Sequence, residues 1–183
     1  QPQELAKAPA VDRLARLHAR IDDHIARRRT LDVGVLWIDP AARDRLQGRA
    51  EAPASTFVLL DGSSKSTADL KGKVTLVNFW ATSCTTCVAE MPQIVATHDK
   101  YKAKGYDTLA VAMQYDPPSY VVNFAETRKL PFKVAIDNTG KVAQAWGDVK
   151  LTPTTYIVNK QGQIVKKYVG APNFDELHKL IEK

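Results

Sequence analysis

Apolar residues recur along the chain with two spacings, and each spacing predicts a type of element. Val11, Leu14, Leu17, Ile21 and Ile25 come every three or four positions, which is one stripe of an amphipathic helix over residues 10–29. Arg13, Arg16, Arg20, Asp22, Asp23 and the run Arg27-Arg28-Arg29 fill its other sides. Such a helix either packs its stripe on a domain with the rest solvated, or docks a partner or lies near a membrane. Residues 31–39 are rich in β-branched and aromatic side chains and predict a strand. Asp39-Pro40 then reads as a helix cap with proline in the first turn, opening a short helix over 40–46 that Gly48 ends. Residues 1–50 thus form a helix–strand–helix appendage, and they carry no recognisable chemistry.

Residues 50–53 read as a short linker into a second unit, 51–183. Thr56 to Leu60 and Ser63 to Leu70, joined at Asp61-Gly62, predict a β-hairpin. Val74 to Ala81 is a near-continuous apolar run, as in a strand buried on both faces. A helix follows from about Thr85 to Lys104, with Pro92 inside, where the missing N–H should bend it. Asp107 to Gln114 is the next buried strand. Asp116-Pro117-Pro118 opens a helix through Lys129, and Phe132 to Ile136 is a short strand before a helix from Asn138 to Trp146. Thr155 to Asn159 and Gln163 to Val169 are short-turned strands, and a last helix begins at Phe174. From Lys73 the order is β-α-β-α-β-α-β-β-α, an α/β sandwich with a mixed sheet.

Composition changes this picture little. The 183 residues are 44% hydrophobic with a net charge of +6, a chain that can bury a core without staples. Basic residues outnumber acidic ones 10 to 7 before Glu51 and 16 to 13 from there on. Neither half is a basic tail, and the charge does not point to nucleic acid. No run approaches the roughly 18 apolar residues of a membrane span, and no signal peptide is visible.

The two cysteines carry the chemistry. Cys84 and Cys87 are the only ones, too close together to stabilise a fold much by closing a loop. Cys84 falls where the buried strand gives way to a helix. Free N–H groups and a partial positive charge at a helix start stabilise a thiolate. Cys87, one turn on, can reach the same sulfur, so an exchange cycle is available: Cys84 attacks a disulfide and Cys87 resolves the mixed disulfide. A structural zinc site needs about four ligands. His98 stands eleven residues beyond Cys87, about 16 Å along a helix, too far to serve as one. Copper(I) held by the two thiolates is the alternative reading, a metallochaperone rather than an enzyme. The setting of a peroxidatic cysteine is missing.

From about Pro53 to Lys183 the chain resembles the thioredoxin-like thiol–disulfide oxidoreductases of the TlpA/ResA/CcmG (DsbE) group. The matching text is Asp61-Gly62, Leu70-Lys71-Gly72-Lys73, Val77-Asn78-Phe79-Trp80-Ala81-Thr82, the Cys84/Cys87 pair, Glu90-Met91-Pro92 and Thr152-Pro153-Thr154-Thr155. The resemblance implies a thioredoxin-like three-layer sandwich with a mixed central sheet and an N-terminal β-hairpin. It implies that Cys84 is the exposed nucleophile, Cys87 the resolving thiol and Glu90 a buried carboxyl that shuttles a proton. Pro153 would be a cis-proline facing the dithiol. Thr152 would offer backbone hydrogen bonds to a bound strand, and Trp80 and Ser83 would complete the substrate surface. It also implies no cofactor, an extracytoplasmic setting with a membrane tether ahead of residue 1, protein clients of the cytochrome c or metallocentre assembly kind, and electrons from a DsbD-like membrane reductase. Asn78 stands where cytosolic thioredoxins carry an acid. Two departures stand out: Ser83 replaces an aromatic residue before the first cysteine, and Thr85-Thr86 contains neither Pro nor His.

Overall fold

The computed structural model describes residues 49–183. The expected helix 10–29, strand 31–39 and helix 40–46 lie outside the described residues. Within them the strands are β1 (Thr56–Val58), β2 (Ser64–Ser66), β3 (Val74–Trp80), β4 (Tyr106–Ala112), β5 (Lys133–Ile136), β6 (Thr154–Val158) and β7 (Ile164–Val169). The helices are α1 (Thr85–Tyr101), α2 (Pro118–Thr127), α3 (Lys141–Ala145) and α4 (Phe174–Ile181). Five strands form one sheet in the order β5-β4-β3-β6-β7. β3 runs parallel to β4 and antiparallel to β6, so the sheet is mixed as expected. β1 and β2 form a separate antiparallel pair.

The alternation of β3 divides the core. Val77 and Phe79 face one side, with Leu109, Val111, Tyr156, Val158 and Trp146. Phe57 of the hairpin closes this side against Trp146 at 6.1 Å between ring centroids. Leu76 and Trp80 face the other side, with Cys87, Met91 and Ile94 of α1, Val121 of α2 and Leu177 of α4. The same parity sends Asn78 toward α1. β3 is therefore paired on both edges and covered on both faces, which is why its sequence is a near-unbroken apolar run.

Three boundaries differ from the sequence reading. The second hairpin arm stops at Ser66, because Thr67–Leu70 turns into a 3₁₀ helix. Asp69 drives this: its carboxylate accepts from the Ser66 N–H and hydroxyl at 2.7 Å each. The turn itself behaves as read, with Gly62 at φ 79 and Asp61 accepting from the Ser63 N–H at 3.0 Å. Residues 50–53 are not a free linker. Ala50 C=O accepts from Ile164 N–H at 2.8 Å, and Ala52 N–H donates to Gly162 C=O at 2.9 Å. The local sequence Ala-Glu-Ala-Pro could not show that this segment pairs with a turn more than 100 residues away. Helix α1 runs on through Pro92 and ends at Tyr101, with Lys102–Lys104 continuing as a 3₁₀ turn into Gly105 at φ 79.

Candidate active site

Strand β3 ends at Trp80, and the chain turns through Ala81, Thr82 and Ser83 to Cys84, the N-cap of α1. Cys84 N–H donates to Ala81 C=O at 3.1 Å, which closes the turn. Its Sγ accepts from the Cys87 N–H at 3.1 Å. The two cysteines form a disulfide with their Cα atoms 5.2 Å apart. Their surroundings differ. Cys84 is half-buried, whereas Cys87 is 0% exposed and packed in the α1-side core. The sulfur placed to accept from a helix N-terminus is thus the one solvent and partners can reach, and its thiolate form would keep that donor.

The loop before β6 faces this sulfur. Thr152 C=O lies 3.5 Å from Cys84 Sγ, and the Thr152–Pro153 peptide is cis. Thr154 Oγ1 donates to Leu151 C=O at 2.7 Å, and Pro153 C=O accepts from Gly170 N–H at 2.8 Å. These bonds pin the loop at both ends. Pro153 is buried and Thr152 half-buried.

Glu90 sits one helical turn beyond Cys87 on the same buried face of α1. It is 4% exposed. Asn78 Nδ2 donates to Glu90 Oε1 and to Thr155 Oγ1, at 3.0 Å each. Asn78 and Thr155 are directly paired across β3 and β6. Burial pushes the Glu90 carboxyl up to about 7, against the lowering pull of the Asn78 bond. Glu90 Oε2 and Asn78 Oδ1 are buried without a hydrogen-bond partner. An uncharged carboxyl tolerates such a setting far better than an ionised one.

The other candidates fall as follows. Trp80 is 0% exposed and packs on Phe124 with centroids 5.0 Å apart. Its ring forms the floor beneath the site and offers no surface to a bound strand, a correction to its expected role. It is the last residue of a strand covered on both faces, so its side chain is buried whichever face it takes. Ser83 is exposed and lines a groove of about 630 Å³ with Tyr115, Tyr120, Phe124 and Arg128. His98 is buried, its Nδ1 3.2 Å from Thr108 Oγ1. Among the described residues no three His, Cys, Asp or Glu side chains cluster as metal donors.

Sequence reasoning missed Asp116. It reads as a helix opener before two prolines, but α2 is capped by Pro117. The Asp116 carboxylate instead accepts from the Thr82 N–H at 2.6 Å and from the Thr82 hydroxyl. It thereby holds the turn that leads into Cys84. The signal was an acid followed by two prolines at a strand end; its partner lies 34 residues upstream.

The Redoxin family profile matches residues 47–181. The thiol-disulfide oxidoreductase ResA of Bacillus anthracis is 33% identical over 143 residues, covering 78% of this chain and 82% of that protein. ResA of Bacillus subtilis (strain 168) is 31% identical over 140 residues, covering 75% and 76%. Among solved structures, one from Neisseria meningitidis provisionally assigned as a thioredoxin superposes with a TM-score of 0.68 at 43% identity, covering 73% of this chain and 89% of that one. The thioredoxin domain of a thiol-disulfide oxidoreductase from Bacteroides vulgatus gives 0.63 at 28%, covering 73% and 94%. With these matches, the chain belongs to the Redoxin family as a thiol–disulfide oxidoreductase of the ResA and DsbE type.

Proposed function

We propose that the chain works outside the cytoplasm as a reductant of protein disulfides, with Cys84 as nucleophile and Cys87 as the resolving thiol. What carries the reading is the asymmetry between the two sulfurs. Cys84 is reachable and accepts from a helix N–H; Cys87 is sealed in the core one turn from a carboxyl that burial pushes up to about 7. In the cycle the Cys84 thiolate attacks a client disulfide, forming a mixed disulfide and releasing one client thiolate. The Glu90 carboxylate takes the Cys87 proton. The Cys87 thiolate then attacks Cys84 Sγ, the Cys84–Cys87 disulfide closes and the second client thiolate leaves. Two electrons pass to the client.

Thr152 C=O, facing Cys84 Sγ, supports a role for this loop in holding a client strand beside the cis Pro153. Regeneration needs an outside dithiol, and a DsbD-like membrane reductase fits, since no nucleotide- or flavin-binding motif is present. Clients of the apocytochrome c or metallocentre assembly kind follow from the resemblance. Asn78 in place of an acid supports the extracytoplasmic setting. The appendage expected over residues 1–50, of which Ala50 already pairs with Ile164, would dock the catalytic unit to a membrane partner or another subunit, and a tether ahead of residue 1 would place it there. Among the described residues no helix is long and apolar enough to cross a membrane.

The test is trapping. Cys87→Ser should leave Cys84 joined to its client as a stable mixed disulfide. If Cys84→Ser traps as well or better, the assignment of nucleophile fails. Direction is tested separately: a potential near that of DsbA, about −120 mV, rather than of thioredoxin, about −270 mV, would overturn the reductant reading.

A further inference from the structure

The groove lined by Ser83 lies on the α2 side of Cys84, and the cycle above makes no use of it. Its rim holds two of the exposed large hydrophobic side chains among the described residues, Tyr115 at 55% and Tyr120 at 63%. The groove is continuous with the reacting sulfur by two routes. Ser83 immediately precedes Cys84, and Tyr115 OH is 3.2 Å from Thr152 Oγ1 in the residue whose carbonyl faces Cys84 Sγ. A chain joined to Cys84 through its own cysteine must leave that sulfur across neighbouring surface. Exposed tyrosines there offer large contact area at low conformational cost.

Helix α2 gives the groove its length and its sign. Tyr120, Asn123, Phe124, Thr127 and Arg128 follow at spacings of three and four and share one face. Tyr120 to Arg128 spans about 12 Å along a helix, which an extended chain crosses in about four residues at ~3.3 Å each. The one acid of the groove, Asp116, is buried and occupied by Thr82. Arg128 is exposed, stacked over Phe124 at 5.5 Å, and pairs with no carboxylate among the described residues. The groove therefore begins aromatic beside the sulfur and ends in a cation.

We propose that this groove reads the client segment flanking the attacked cysteine. It takes an aromatic or branched apolar side chain next to that cysteine against Tyr115 and Tyr120, and an acidic side chain about four residues further on at Arg128. The inference rests on Cys84 being the sulfur that joins the client.

The experiment uses cysteine peptides presented as mixed disulfides with one common leaving thiol. The flanks are made symmetrical, so the direction of the bound segment does not matter. Peptides carry Phe or Gly beside the cysteine, and Glu or Lys four residues out. Rates of exchange with the reduced full chain are compared as ratios within each protein. The wild type should prefer Glu over Lys peptides at least fivefold at low salt, and the preference should shrink at 1 M salt as charges are screened. In Arg128→Glu the ratio should invert, and in Arg128→Gln it should fall to near one. Tyr120→Ala should erase most of the Phe-over-Gly preference. Near-UV circular dichroism checks that each variant is folded, and the two Arg128 variants report independently. An equal Glu-to-Lys ratio in wild type and both variants would overturn the groove. A wild type that exchanges with no peptide would instead count against the role of Cys84, leaving a distinct signature.

Discussion

At the scale of single residues the site turns on Glu90 and the amide that holds it. The folded chain keeps Glu90 protonated up to about pH 7, against a usual value of 4.5. Between these values the folded state binds more protons than the unfolded state, so stability falls as pH rises from about 4.5 to about 7 and levels off above. The loss over that window should be about 3 kcal/mol. Chemical denaturation at a series of pH values checks it, and Glu90→Gln should flatten the slope. The same variant should slow closure of the Cys84–Cys87 disulfide while leaving alkylation of Cys84 nearly unchanged. Asn78→Leu removes the bond that lowers the Glu90 carboxyl, so Glu90 should titrate higher still, read from the carboxyl chemical shift against pH. Cys84 and Cys87 were legible because their spacing on a helix start is local, whereas Glu90 was singled out only by the family resemblance. Asn78 was visible only as a substitution; its hold on Glu90 needed the pleat of β3 to turn it toward α1.

At the scale of elements, the reactive turn is braced from a distance. Asp116, at the mouth of α2, accepts two bonds from Thr82. Asp116→Ala strips the acceptor from both donors and should cost about 2–3 kcal/mol. It should also raise the exchange rate of the Ser83 and Cys84 amides, measured by hydrogen exchange. On the opposite face of the sheet Trp146 meets Phe57, Phe79 and Tyr156 with centroids 5.2–6.1 Å apart, and its Nε1–H donates to Ser55 Oγ at 3.1 Å. Trp146→Ala should cost about 3–5 kcal/mol by thermal or denaturant unfolding. Element types and order were readable throughout, since period-two and period-3.6 patterns are properties of neighbouring residues. Ends were less so. β2 gave way to a 3₁₀ turn because Asp69 captured the Ser66 amide, a competition that propensity does not register.

At the scale of the whole molecule, the catalytic unit begins earlier than its apolar pattern suggests. Removing residues 1–43, the first compact unit, should leave insulin reduction by the second unit intact while impairing partner recognition. Removing residues 1–53 should lower the melting temperature, because the bonds of Ala50 and Ala52 to the β6–β7 turn and the buried Ala52 side chain go with them. Differential scanning calorimetry of the two truncations separates the cases. The chain alone determined the order of elements, the buried central strand and the dithiol at its end, because each follows from short-range periodicity and from the chemistry of two sulfurs one helical turn apart. The tertiary structure alone decided that Trp80 is floor rather than surface, that Asp116 serves Thr82, and that an aromatic groove ending in Arg128 opens beside Ser83. Each of these depends on which face of a strand or helix meets which neighbour across tens of residues, and that is settled only when the sheet is assembled.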